Sequence, residues 1–297
     1  MEKVQLTTFD GLPLTARVWI ADSPKATIQI LHGMAEHCER YQPFAEYLQA
    51  QGFNLIAHNH RGHGERLPQG HFKDSDGWKA VLEDVSSVQK LANPNLPIFL
   101  FGHSMGSFIA RSWAANYAHK LKGLILSGSN QQNPALFYMA RTLAKGLSLV
   151  NGQKAPSKLM DFLSFGEFNK AFKPNKTQFD WLSGDETAVQ AYINDPQCGF
   201  LCSTQFWVDF MGGLIEVNKI GSLEKLPNSL PVLLLSGEKD PVGRMGKGVP
   251  LLAQKLYQTD HSKVELKLYP DGRHEMLNEV NAAQVFADIL QWLEKSL

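Results

Sequence analysis

Cysteine is scarce: Cys38, Cys198 and Cys202 are the only three in 297 residues. An odd, small number in a long chain argues against a disulfide framework and fits free thiols in a reducing compartment. Long apolar runs are missing as well. The richest, around Val232–Leu235, falls far short of the roughly 18 residues that a membrane-spanning helix needs. Surplus charge of either sign is absent, with 29 Lys plus Arg against 29 Asp plus Glu. A chain with neither a basic excess nor a basic run has no electrostatic footprint for nucleic acid. The opening stretch MEKVQLTTFDGLPLTARVWI carries charge at positions 2 and 3 but no apolar segment behind it, unlike a secretory signal. These absences lead us to expect a cytoplasmic protein. No feature of the sequence specifies an oligomeric state.

What is present is ordinary globular composition, 43% hydrophobic with 24 Gly and 15 Pro, which excludes collagen-like and disordered chains. Short apolar runs bounded by turn residues recur at Ala26–Leu31, Phe53–His58, Ile98–Phe101, Gly123–Ser127, Val232–Ser236 and Val264–Tyr269. Several lack alternation, as expected of parallel strands covered on both faces. Val4–Thr7 and Leu14–Trp19 flank a turn and predict an antiparallel hairpin at the sheet edge. Helical spacing occupies Tyr41–Gln51, Gly77–Leu91, Met105–Tyr117, Gly246–Thr259 and Asn278–Lys295. Strand alternating with helix predicts an α/β fold with a mostly parallel, doubly wound sheet.

One interval breaks the rhythm. Between Ser127 and Val232 lie 104 residues, where a crossover needs about a dozen. Residues 130–221 are therefore expected to form an inserted helical cap on a core of residues 1–129 and 222–297. Nine of the seventeen Phe residues fall in that insert, either burying a small layer of their own or lining a greasy lid. Its segment Ala135–Val150 predicts a helix with Arg141, Thr142, Lys145 and Ser148 on one side and Leu, Met and Phe on the other.

Gly102-His103-Ser104-Met105-Gly106 fits G-x-S-x-G between an apolar strand and a helix. A nucleophilic serine needs such a sharp turn, with small neighbours that let backbone approach closely. It also needs a base oriented by a third group, in the chain order Ser, Asp or Glu, His. Asp240 follows the strand VLLLS and His274 follows VELKLY, so both are expected at the sheet edge that carries Ser104. Glu238 and Asp271 compete with Asp240 for the acid role. An oxyanion needs two donors. The amide of Met105 is one, and Gly33 lets Met34 N–H serve as the other.

Histidine clusters invite a metal reading. His58-Asn59-His60-Arg61-Gly62-His63 has H-x-H-x-x-H spacing, but Gly62 stands where a binuclear hydrolase loop needs Asp. Neither this run nor His32, Glu36 and His37 completes a ligand set, so no metal and no cofactor are expected. Cys38 is read as a buried filler rather than a reactive thiol.

Together, His32-Gly33-Met34-Ala35-Glu36-His37 with Arg40-Tyr41, Arg61-Gly62-His63-Gly64, the GHSMG elbow and the Asp240 and His274 loops resemble the monoacylglycerol lipase and lysophospholipase branch of the α/β hydrolases. The resemblance covers nearly the whole core in order and is vague over the insert. It implies a triad of Ser104, Asp240 and His274, an oxyanion hole at Met34 and Met105, and hydrolysis of a small-molecule, single-chain acyl ester. Transient contact of the cap with a membrane or micelle surface is expected as well. Two positions depart from the branch: Asn59 replaces an Asp, which is expected to alter a loop hydrogen bond, and Ser107 replaces a Gly. The balanced charge of the insert favours monoacylglycerol over lysophospholipid, unless Arg141 or Arg244 holds a phosphate. Two other functions stay open. An aminopeptidase on this fold would need cap carboxylates such as Asp185 and Glu186, and a non-catalytic ligand-binding homologue would need none of the triad.

Overall fold

A computed structural model describes all 297 residues. Eight strands build one sheet: β1 Glu2–Thr7, β2 Pro13–Trp19, β3 Ala26–Leu31, β4 Phe53–His58, β5 Ile98–His103, β6 Gly123–Ser127, β7 Val232–Gly237 and β8 Val264–Tyr269. Their spatial order is β1-β2-β4-β3-β5-β6-β7-β8. Pairing is parallel from β4 to β8, and the β1–β2 hairpin joins antiparallel at one edge. Every residue of β3, β4, β6 and β7 is buried, which is why these runs are apolar without alternation.

Helices cover both faces. On one, α1 (Gln42–Ala50) contributes Phe44 and Leu48, and α10 (Ala282–Ser296) contributes Val285, Ile289 and Leu293 to a core under Ile28, Phe99 and Leu233. On the other, α2 (Gly77–Gln89), α3 (Met105–Tyr117) and α9 (Gly248–Gln258) pack Val81, Ile109 and Leu252 over Leu100, Leu124 and Leu234. β4 and β5 flank β3, so chain progression reverses beside β3. The loops after β3 and β5 therefore border a crevice at the carboxyl edge, where ligands bind in open α/β sheets.

Between β6 and β7 run α4 (Ala135–Asn151), α5 (Lys158–Phe165), α6 (Glu186–Asn194), α7 (Thr204–Val217) and α8 (Ile220–Leu223). The α7 helix lays Phe206, Trp207 and Phe210 into the same core as α2 and α3. The two sides expected of α4 do not separate cleanly: Thr142 and Lys145 face solvent, but Arg141 does not. Phe137 and Ala144 are its buried residues, and Arg141 sits on the same face, donating through Nε to Val208 O at 3.2 Å. Leu136, Met139, Leu143, Leu149 and Val150 are exposed instead. Gly212 eases the Arg141 contact, because a Cβ there would lie a tight 3.3 Å from the guanidinium.

The strand–helix junction at β5 and α3 tolerates no side chain at two positions. A Cβ on Gly102 would stand 2.4 Å from Gly106 O, and one on Gly106 would stand 2.1 Å from Leu31 O. Both obstacles are backbone. Gly106→Ala is expected to destabilise the fold by more than about 3 kcal/mol, read from urea unfolding; an unchanged midpoint would show that the helix can back away from β3.

Candidate active site

Ser104 caps α3 with φ 52° and ψ −120°, a strained conformation that costs on the order of 1–3 kcal/mol and persists only when its surroundings enforce it. Gly102 and Gly106 enforce it by pressing the helix start against the strand. Ser104 is half-buried and lines a cavity of about 600 Å³ together with Met34, His103 and His274. Met105 is different. Its side chain turns into the core, and only its amide, at the first position of α3 with no intrahelical acceptor, remains to serve the cavity.

The two later loops meet beneath that wall. His274 Nδ1 lies 3.0 Å from Asp240 Oδ1, and Val242 N donates to the same oxygen at 2.8 Å. Ser236 Oγ donates to Asp240 Oδ2 at 3.1 Å. The competing acids lie elsewhere: Glu238 is exposed, and Asp271, also exposed, pairs with Lys239. Burial works to lower the His274 pKa, but the Asp240 carboxylate outweighs it and leaves the imidazole above its ordinary value. The ring is held between His103 and Trp181, with centroids 4.7 and 5.2 Å away. Burial brings His103 down to about 4, so this neighbour stays neutral and adds little repulsion to a protonated His274.

The loop after β3 is fixed by charge. Glu36 Oε1 accepts from Gly33 N at 2.5 Å and from Tyr41 Oη at 2.9 Å. Its other oxygen accepts from Arg40 at 2.6 Å. Arg40 also forms a bidentate pair with Glu275 at 2.7 and 2.6 Å, so one guanidinium ties the Met34 loop to the residue next to His274. The β6–β7 insert closes the arrangement. Tyr192 Oη and Gly199 N both donate to Ala35 O at 2.9 Å, and Glu275 N donates to Leu182 O at 2.7 Å.

The histidine run does not gather as ligands. His32 Nε2 accepts the His60 amide at 3.0 Å, and His63 Nδ1 contacts Arg61 O at 2.9 Å. Burial depresses His32 and His63 to about 3, so both are neutral packing groups. A set the sequence reading did not weigh does bring ligand atoms together: His37, Asp195 and Cys198, within 4.8 Å. There His37 Nε2 already meets Asp195 Oδ2 at 2.8 Å.

Cys38 is fully buried and burial pushes its thiol up, as suits an inert filler. Asn59 accepts from Cys38 N at 2.8 Å and donates through its amide to Glu65, a donation that an ionised Asp could not make. Ser107 Oγ donates to Ser104 O at 2.6 Å. Arg141 and Arg244 are both outside the cavity wall. So are Asp185, which caps α6, and Glu186, which pairs with Lys176. Four of the nine insert phenylalanines, Phe162, Phe165, Phe179 and Phe200, do line the cavity. Trp181, Tyr192 and Asp161 line it too; the sequence reading had singled out none of them.

Residues 22–281 match the family model described as "Serine aminopeptidase, S33". The human protein named monoglyceride lipase is 30% identical, covering 98% of this chain and 89% of its own. The monoacylglycerol lipase of Mycolicibacterium smegmatis is 26% identical over 97% and 95% of the two chains. Among solved structures, a thermostable carboxyl esterase from Bacillus coagulans in complex with glycerol superposes with TM-score 0.92 at 28% identity, covering 99% of this chain and 98% of that one.

Removing Arg40 tests the charge lock. Burial works to raise the Glu275 carboxyl, yet Arg40 outweighs it and holds it at about 2, against a usual 4.5. A lowered carboxyl contributes stability at pH above 4.5 that drains away as pH falls towards 2. Arg40→Met is expected to cost about 3–5 kcal/mol near neutrality, because two buried carboxylates lose their cation. Urea unfolding should show that loss and a flatter pH dependence across the acid window; a wild-type profile would contradict it.

Proposed function

Because the chain belongs to the serine aminopeptidase S33 family of α/β hydrolases and has monoglyceride lipases among its relatives, we propose that it is a serine carboxylic-ester hydrolase acting on single-chain acyl esters. The observation that carries the reading is a single wall shared by Ser104 and His274, with the imidazole tied from behind to buried Asp240 at 3.0 Å.

In this reading His274 Nε2 takes the Ser104 proton as Oγ attacks the acyl carbonyl. The amides of Met34 and Met105 receive the oxyanion. The same imidazole then protonates the departing alcohol, leaving the acyl group on Ser104, and afterwards activates water to release the acid. Asp240 holds the tautomer that keeps Nε2 free and stabilises the charge the ring gains. Residues 130–221 act as the cap on a core of residues 1–129 and 222–297. Phe162, Phe165, Phe179 and Phe200 form the apolar wall for one acyl chain, each buried CH₂ contributing about 0.8 kcal/mol. A cavity of about 600 Å³ suits one chain better than three, which favours monoacylglycerol over triacylglycerol. Leu136, Met139, Leu149, Val150 and Leu163 are exposed on α4, α5 and nearby, an apolar surface suited to transient contact with a membrane or micelle. No helix is long and apolar enough to cross a membrane.

A second reading, cleavage of a peptide or amide next to a free amine, is favoured only by the description of the family model. Its expected anchors, Asp185 and Glu186, stand outside the cavity.

A series of nitrophenyl esters, monoacylglycerol, trioleoylglycerol and a proline anilide separates these readings. Specificity constants should rise with acyl length beyond butyrate, and monoacyl esters should be cleaved far faster than triacylglycerol. Ser104→Ala should lose at least about 10⁴-fold in turnover. A flat preference for acetate rejects the acyl wall, and cleavage of the anilide alone moves the chain to the peptidase class. Activity should also survive dialysis against EDTA, since His32 Nδ1, His60 Nε2 and His63 Nδ1 each meet a backbone carbonyl rather than a shared centre; a loss that zinc restores would overturn that.

A further inference from the structure

The cavity has an electrostatic bias that the proposed chemistry does not require. Its wall contains three carboxylate residues, Glu36, Asp161 and Glu275, and no lysine or arginine. Arg40 stands behind the wall and answers Glu36 and Glu275 together, one cation for two anions. Asp161 has no cation at all. It lies in the first turn of α5, half-buried, and burial alone acts on its carboxyl, raising its pKa. Phe162 and Phe165 share α5 and the wall with it and cannot solvate an anion, while the polar groups of the wall, Asn169, Asn175, Thr177 and Gln178, carry no charge.

We infer that Asp161 sets the charge selectivity of this cavity, which admits acyl esters of uncharged or cationic alcohols and turns away those that carry an anionic group. The word ester here rests on the proposed function; the charge preference itself concerns binding. An unpaired, half-buried carboxylate in the wall acts on a bound ligand more strongly than one in bulk water, because protein replaces part of the screening solvent around it. A phosphate on the ligand would add two negative charges to a wall that already holds a surplus. A neutral glycerol group meets no such penalty, and an ammonium group is attracted both by the carboxylate and by aromatic faces. The same field favours departure of a fatty-acid carboxylate once it has formed. The competing account makes Asp161 an acidic residue that merely suits the first turn of a helix, and on that account it has no influence on which ligand binds.

Binding measured without turnover separates the two accounts. A short-chain alkyl ether of glycerol and the same ether phosphorylated on its terminal hydroxyl carry no ester to cleave. Trp181 in the wall reports their binding through tryptophan emission. At mildly alkaline pH the wild-type protein should bind the phosphorylated ether at least about tenfold more weakly than the neutral one. Asp161→Asn should narrow that ratio at least about fivefold, and Asp161→Glu, which keeps the charge, should preserve it. Taking the ratio within each variant cancels any general loss of folded protein. An Asn ratio equal to wild type, or equal binding of both ethers by wild type, would overturn the inference. Hydrolysis of the matching glycerol ester, run in parallel, reports on the proposed function separately. No cleavage with an intact charge ratio would sink the esterase reading alone, and cleavage with an unresponsive ratio would sink the role of Asp161 alone.

Discussion

The Glu36–Arg40–Glu275 ion cluster is the constraint on which the site depends. Its three members come from the loop after β3, the turn leading into α1 and the loop after β8, regions that share no backbone hydrogen-bond ladder. Removing two carboxylates from water costs several kcal/mol each unless a cation and further donors replace the lost hydration. Arg40 supplies the cation, and Gly33 N, Tyr41 Oη and Asn278 Nδ2 supply the donors. Because these partners satisfy one another in a single geometry, the Met34 loop and the His274 loop cannot drift independently. The insert then fastens to both, through Ala35 O on one side and the Glu275 amide on the other. A catalytic group displaced by about an ångström loses much of its effect, so the lock acts on chemistry through position.

Strain and neutrality complete the arrangement. Ser104 is held in a conformation that a free chain would avoid, and the penalty is offset by packing of the glycine-flanked turn against β3 and β5. Around it, His32 and His103 are kept uncharged by desolvation, whereas His274 is drawn the other way by a carboxylate. One imidazole is thus prepared to hold a proton while its neighbour His103 does not oppose it. That separation of otherwise identical side chains comes from burial and from the single contact with Asp240.

Much of this was legible in the sequence because it is local. Apolar runs without alternation marked the parallel strands, and the G-x-S-x-G string between strand and helix marked the turn. Strand-end position brought Asp240 and His274 to the same edge as Ser104. What was not legible depends on distant contacts. Amphipathic counting grouped Arg141 with Thr142 and Lys145 on one side of α4, whereas Arg141 turns to α7, where its Nε reaches Val208 O beside Gly212. Asp161, Trp181 and Tyr192 belong to an insert whose path has no periodic signal, and only its fold brings them to the cavity. Asp185 and Glu186 looked available as a pair, yet one caps a helix and the other sits in a surface ion pair. A free side chain and a committed one read alike until their partners are known. Glu275 was the exception that could have been found, since a carboxylate next to the expected base, with Arg40 close to Glu36, hints at a shared cation.

In the proposed reaction Ser104 carries the acyl group during turnover. Rapid acid quench of the wild-type protein with a long-chain chromogenic ester, followed by peptide mass spectrometry, tests it directly. The expected result is an initial burst of about one equivalent of alcohol and an acyl mass on the peptide containing Ser104. Turnover with no burst and no acylated peptide, or an acyl group found on another residue, would contradict it.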